Sequence, residues 1–454
     1  MNMINELLTE HKLITAQRRR REVRKYLDFY SGTSTAHYIK KYFDGEAFNE
    51  IPPYESNFTR KFINKMSTIY TLGANRRLGD DSINEKYEKL ITHKNVRLKH
   101  SERMTRLLGT VANRVFWHEE KQHFDYRPIY YFETYFEEDP FIPVALIYPL
   151  MNKVHDLSDK SRIQYVYWDK ETYAIVDEEG HILKEQENPY KILPFVFTHR
   201  EDQLDEFLVE GASDIINCNE QVNISLTEMQ LGMRFNLFGQ PWVNGVDSDQ
   251  NLMRAGSNVI LDMGEDGAFN IASPQGNIEE AIKNIKFQIE LVATNNHLWI
   301  QWSEEGGEVP SGISLMIKDM ERKEDYYDDI ALWRQYEMDF YEVEKVIAEY
   351  NGISLPSSDK FRIDFEEVQY PKTIQDQISK DTFDLEHNLT TEAKIMVRDN
   401  KDLTVEEAQK IIDENKSFNM PQMQEEEEMN LTEDEMAELH SKGSVSKNGK
   451  MVTY

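Results

Sequence analysis

The sequence predicts an α+β protein, mainly α, from three observations. Two helical stretches, 206–238 and 277 to about 301, carry apolar seams with three- and four-residue steps. A strand-rich block lies between Tyr126 and Lys184. The 454 residues are 39% hydrophobic and include 22 Phe, 23 Tyr and 6 Trp, enough apolar surface for a sizeable core. At about 100–200 residues per domain, the length allows two to four packed units.

In chain order, the N-terminal segment has apolar residues that suit a helix (Ile4, Leu7, Leu8, Ile14, Val23, Leu27) and carries the densest basic run, Arg18 to Arg21 with Arg24 and Lys25. A solvated or intersubunit salt-bridging face is the simpler reading of that run, ahead of direct phosphate contact. Residues 56–121 have helical spacing broken by the turn signal LGANRRLG, so two or three helices are expected there. From Tyr126 to Lys184 short Tyr-, Ile- and Val-rich runs separated by turn residues predict a β meander, and YVYWDKETYAIV is its clearest hairpin. LPFVF at 193–197 closes this region.

The 206–238 helix has the stripe Ile215, Cys218, Val222, Leu226, Met229, Met233, a narrow seam suited to packing on other helices, with Cys218 as a packed thiol. Short β runs follow at 239–275, and a second helix, Asn277 to about Gln301, has the stripe Ile278, Ile282, Ile285, Ile289, Val292. This order predicts an antiparallel helix pair with a small β cap. SEEGGEVPSG (303–312) reads as a loop, and 313–350 as a long helix with the stripe Ile317, Met320, Tyr327, Ala331, Met338, Tyr341, interrupted by the charged ERKEDYYDD. FRIDFEEV is a strand, and three short helices follow, the last opened by a capping box of Thr404 and Glu407. Residues 421–440 hold eight acids and no Lys or Arg, which suggests a mobile tail.

Charge excludes some functions. The balance of 52 Lys+Arg against 82 Asp+Glu gives −30, a field that disfavours a tight, sequence-reading DNA binder. It is uneven: residues 1–120 hold 22 basic and 15 acidic groups, +7, which leaves 30 against 67, −37, for the rest. One cysteine permits no internal disulfide and no apolar run is long enough to span a bilayer, so a reducing, cytoplasmic setting is expected. No P-loop, GxSxG, CxxC or GxGxxG occurs, and neither an enzyme activity nor a cofactor is expected. His118-Glu119 with His123 has the spacing HExxxH, one residue too long to align two zinc ligands on a helix face. Asp247 with Asp249, or Glu304, Glu305 and Glu308, have the oxygen chemistry for a divalent cation, but acidic loops are ordinarily just solvated.

The order of elements, together with YLDFYSG (26–32), NFTRKFINKMSTIYTLG (57–73) and PSGISL (310–315), resembles the portal proteins of tailed double-stranded DNA bacteriophages, especially the group infecting Gram-positive hosts. PSGISL is similar to that family's Ser-Gly-x-Ala-Leu signature, with Ser314 where Ala is usual. The resemblance covers about residues 20–416 and rests on the ordered combination. It implies a portal fold in which 1–205 and 313–372 form the wing, 206–238 and 276–302 the stem, 239–275 the clip, 303–312 the tunnel loop and 373–416 the crown, with 417–454 a mobile acidic tail. It further implies a ring, usually a 12-mer, made in the host cytoplasm and set at the capsid portal vertex of the virion. Its implied partners are terminase, the major capsid or scaffold protein, a head-completion adaptor and double-stranded DNA passing non-specifically, with no membrane.

Within that frame Glu304, Glu305, Gly306, Gly307 and Glu308 would face the channel as the tunnel loop. Lys283 and Lys286 would either ring the DNA or pair with acids of a neighbouring stem, and Trp242 would serve docking or clip-to-clip packing. The alternatives carried beside this reading are a metal-dependent nuclease or hydrolase built on the carboxylates and another capsid-assembly protein.

Overall fold

The computed structural model describes residues 2–43, 51–150, 163–202, 205–238, 240–244, 268–272, 277–300, 320–366, 374–400 and 403–429. It is mixed α/β, about 53% helical and 17% strand. Among the described residues no helix is long and apolar enough to cross a membrane. The chain divides into two units, 1–369 and 370–454.

In the first unit α1 (Asn2–Lys12) and α2 (Ile14–Ser31) are followed by α3 (Ala36–Lys40), α4 (Thr59–Met66), α5 (Asp81–Leu90) and α6 (Lys94–Leu108). Two features depart from the helical reading of 56–121. The turn signal contains a short strand, β1 (Ala74–Arg77), paired antiparallel with the distant β12 (Arg362–Phe365). Residues beyond Gly109 are strand, β2 (Thr110–His118), because the run TVANRVFW lies between two partners, β3 (His123–Ile129) and β9 (Phe195–His199). β-branched and aromatic residues favour a ladder wherever both edges can be paired. His118 and His123 accordingly face each other across a hairpin instead of sharing a helix.

The meander has the expected form: β4 (Glu133–Tyr135), β5 (Ala145–Pro149), β6 (Gln164–Asp169), β7 (Thr172–Asp177) and β8 (Ile182–Glu187) pair in sequence order, all antiparallel. The β6–β7 hairpin sets Trp168 opposite Tyr173, and Asp169 Oδ1 accepts from the backbone N–H groups of Glu171 and Thr172 to close it. The two sheets share an aromatic core that includes Phe132, Tyr148, Trp168, Phe195 and Phe207.

The first seam helix, α7 (Ser213–Phe238), starts seven residues later than its sequence pattern suggests. Its approach crosses the end of α6 at backbone contact: a Cβ on Gly109 would fall 1.9 Å from Val209 O, and one on Gly211 2.4 Å from Leu107 O. Chain packed that closely has no room for a helical turn. The return helix, α8 (Ile278–Asn295), opens with the Asn277 side chain accepting from Glu280 N. It ends six residues before the expected Gln301, because His297 takes φ +51° and Leu298 N donates to Ala293 O at 2.8 Å, a Schellman-type stop. Between α7 and α8 the hairpin β10 (Gln240–Asn244) and β11 (Ala268–Ala272) is described, and the rest of the predicted clip lies outside the described residues.

The long helix, α9, spans Met320–Tyr350. Its buried face is the predicted one only toward its end, where Tyr341 is buried and Met338 packs against the core; Ala331 is exposed. Tyr327 is exposed, whereas Ile330, Trp333, Tyr336, Glu337, Phe340, Tyr341, Glu344 and Ile347 are buried, a stripe that admits two glutamates. These apolar residues join those of α5, α6, β2 and β3 in the largest core of the unit.

The second unit contains α10 (Ile374–Glu386), α11 (Glu392–Asp399) and α12 (Val405–Met429). Ala393, Met396, Val397, Ala408 and Ile412 form its core. Arg398 donates to both oxygens of Asp381 at 2.7 and 2.9 Å. The capping box is formed: Thr404 N donates to Glu407 Oε2 at 2.9 Å, and Glu407 N to Thr404 Oγ1 at 3.3 Å. α12 runs through Met429, so the predicted mobile tail is helical over 417–429; 430–454 lie outside the described residues. With its cap satisfied and no Gly or Pro before Pro421, nothing stops this helix at Lys416.

Candidate functional site

The region that the sequence analysis singled out is the α7–α8 pair. Its antiparallel course follows from contacts at successive levels. Asn296 Nδ2 donates to Asp214 Oδ2 at 2.7 Å, at the end of α8 and the start of α7. Further along, Cys218 Sγ lies 3.5 Å from Gln288 O, and Cys218, Val222, Leu226 and Met229 pack with Ile285, Ile289 and Val292. Burial raises the Cys218 thiol to about 11, so it stays a neutral packing group. Met233 and Ile282, both assigned to the seam by spacing, are instead 38% and 41% exposed.

Beside the seam, about 100° around the helix, α7 carries a polar ladder that sequence reasoning missed. Asn219 Oδ1 accepts from Thr59 N and Thr59 Oγ1 at 3.2 and 2.8 Å, and its Nδ2 donates to Ser56 O at 2.8 Å. Asn223 accepts from Ser56 N at 2.8 Å and donates to Ser56 O at 3.0 Å, and Thr227 Oγ1 accepts from Tyr54 N at 2.9 Å. Three side chains at four-residue spacing thus replace a partner strand for residues 54–59. The signal was present as Asn-x3-Asn-x3-Thr inside a buried helix, where polar side chains need partners. Glu220, next to this ladder, holds Lys25 and Lys41 at 2.5 and 3.1 Å and so ties α7 to α2 and to the residue after α3.

The basic run of α2 is mostly consumed within the chain. Arg19 and Arg20 both engage the buried Glu133, Arg20 at 3.0 Å, and Arg18 pairs with Glu22 at 3.0 Å. Arg18 and Arg21 remain exposed, as a solvated face requires, while Arg19, Arg20 and Lys25 turn to acids of the same chain.

Lys283 and Lys286 are exposed on α8. Trp242 stands on β10 opposite Asn270. Glu304, Glu305, Gly306, Gly307 and Glu308 lie outside the described residues, as do Asp247 and Asp249. On either side of 301–319, Asn295, Asn296 and His297 of the α8 terminus and Asp325, Asp328 and Asp329 of α9 line a polar cavity of about 600 Å³ with Arg106, Arg200 and Asp202. Arg106 pairs with Asp329 in it, and His297 Nδ1 lies 2.8 Å from Asp325 Oδ2. The charged part of α9 thus lines a polar surface. Among the described residues one trio, Asp177, Glu179 and His181, has the geometry for a metal ion; it is an exposed turn whose Asp177 Oδ1 is already engaged by the N–H groups of Glu179 and His181.

A second unforeseen assembly lies in the core beneath α9. Glu337 faces Arg76 (Nε, 2.9 Å), Lys94 (3.0 Å) and the Tyr70 hydroxyl (2.7 Å). Glu344 faces Lys94 (2.6 Å) and the hydroxyls of Tyr87 (2.6 Å) and Tyr126 (2.7 Å). Lys94, Glu337 and Glu344 are fully buried. Burial alone would raise the Glu337 carboxyl, but Arg76 and Lys94 outweigh it and hold it at about 2. Two positive and two negative charges cancel. The arrangement lies within the packed core, so it serves to dock α9.

No protein-family model matches the chain, and no curated protein matches it.

Proposed function

We propose that this chain is the subunit of a ring-shaped channel, a portal of the kind found at one capsid vertex of tailed double-stranded DNA phages, through which DNA is packaged by a separate terminase and later released. The observation that carries the reading is a second apolar face on α8. At 3.6 residues per turn, Phe287 and Leu291 fall opposite the seam residues Ile285 and Ile289, and they are 60% and 49% exposed. A helix that is apolar on two sides and covered on one needs a further neighbour, and a ring supplies each copy with one. The wing would comprise the two sheets with α9, the stem α7 and α8, and the clip the β10–β11 hairpin. The surplus of carboxylates suits a bore that lets a polyanion slide without gripping it. On this reading the clip is the docking surface for terminase and for a head-completion adaptor, and the second unit is the crown.

Single-particle images of the purified chain should show rings with a central hole, and a sample that stays monomeric at every concentration would sink the proposal. Deletion of residues 304–308 should leave rings intact while lowering the amount of DNA packaged. A magnesium-dependent cleavage assay on plasmid DNA tests the nuclease alternative directly.

A further inference from the structure

Arg114 of β2 and Arg127 of β3 stand directly opposite each other in the antiparallel ladder. Like charges in that position destabilise a strand pair. Both guanidinium groups lie over one ring, Phe116, at 5.9 and 4.5 Å from its centroid, and Arg114 lies also over Trp168 at 5.0 Å. Arg114 Nε is buried with no hydrogen-bond partner. Among the described residues neither arginine has a carboxylate within 4.0 Å. Asp125, the acid on the same sheet face, is taken by Arg97 at 2.9 Å.

Several other basic groups of the unit meet carboxylates, Arg19 and Arg20 on Glu133, Lys25 and Lys41 on Glu220, Arg76 and Lys94 on Glu337, whereas these two face each other over aromatic rings. We propose that Arg114 and Arg127 form a binding site for a phosphate group at the rim of the seam between the two sheets. Two guanidinium forks call for a dianion with several acceptor oxygens, and phosphate supplies both. Stacking on Phe116 and Trp168 holds the Arg114 guanidinium in place before the ligand arrives, and Arg127, exposed, closes on it from the opposite strand. A phosphate between them would replace cross-strand repulsion by two attractions. The proposal does not depend on ring assembly.

The test is titration of the full chain at low ionic strength, with inorganic phosphate followed by calorimetry and a labelled short DNA duplex followed by anisotropy. Saturable phosphate binding is expected, weakened at least about tenfold in Arg127→Gln, as for loss of a charge-assisted hydrogen-bonding group. Arg114→Lys, which keeps the charge but not the fork, should weaken it as well while circular dichroism stays unchanged. Arg21→Gln, an exposed arginine on α2, should have no effect. Duplex binding that falls in the same two variants assigns the phosphate to a nucleic-acid backbone, and an effect on inorganic phosphate alone assigns it to a small ligand. Absence of saturable binding by either probe, or equal affinity in Arg127→Gln, overturns the site.

Discussion

Beneath α9, and along α7 and α8, the chain treats polar and apolar groups in opposite ways. Under α9 two glutamates and two cations are buried, each with several partners, and the helix is held by charge as well as by Phe340 and Tyr341. On α8, apolar residues stay in solvent while exposed lysines lie beside them. The first region leaves no charge unmatched; the second leaves Phe287 and Leu291 uncovered. A buried charge network tolerates no alternative position, because every shift strands a charge in a medium of low dielectric. An uncovered apolar face can wait for its partner at little cost within the monomer.

The sharpest way to break this contrast is to remove the central cation. Lys94→Met leaves Glu337 and Glu344 with a buried excess of negative charge and should cost about 3–5 kcal/mol, read from urea unfolding. Adding Glu344→Gln should recover part of that loss, and a double variant as unstable as the single one would show that charge balance is not what matters there. On α7, Asn219→Ala strips the donors and acceptor that serve Thr59 and Ser56 and should cost about 1–3 kcal/mol.

A smaller effect concerns acid response. Burial lifts the Glu102 carboxyl to about 7 although Ile69 and Tyr70 N–H groups donate to it, and burial lowers His199 to about 4. A carboxyl with a raised folded-state value contributes stability that is present below its unfolded value near 4.5 and lost as pH rises toward 7. A histidine with a lowered value contributes stability that is present above about 6.5 and lost as pH falls toward 4. The two slopes oppose each other between about 4.5 and 6.5. Glu102→Gln should therefore make unfolding midpoints fall more steeply with acid than in the parent chain, and an unchanged pH profile would contradict the assignment.

The smallest stability change is expected on α8. Phe287→Ser with Leu291→Ser should alter monomer unfolding by no more than about 0.5 kcal/mol, the usual range for surface positions, and, on the proposed ring reading, abolish self-association in sedimentation runs. A large loss of monomer stability would mean that this face is already used within the chain.

Much of the fold was legible wherever neighbours in sequence decide it. The Cys218–Val222–Leu226 seam, the Asp169–Lys170 hairpin, the order of the meander strands and the Thr404–Glu407 cap all follow from local periodicity or turn chemistry. Reading failed where the partner lies far off. Thr110–His118 became a strand because β9, more than eighty residues away, pairs with it. The stripe of α9 was assigned through Tyr327 and Ala331 because glutamates count as polar, whereas Glu337 and Glu344 face inward toward Arg76 and Lys94, some 250 residues earlier. Likewise the basic run of α2 read as a surface until Glu133 and Glu220 were seen to meet it.

By itself the sequence determined the α+β class, the helix pair with its β insert and the excess of negative charge. Periodicity and composition depend only on which residue types recur at which spacing. Tertiary structure alone decided which charges are spent inside the chain and which remain: the closed network under α9, the asparagine ladder of α7, and the facing arginines of β2 and β3. The worth of a charged group is set by burial and by the opposite charge a few ångströms away, and neither quantity is written in the order of residues.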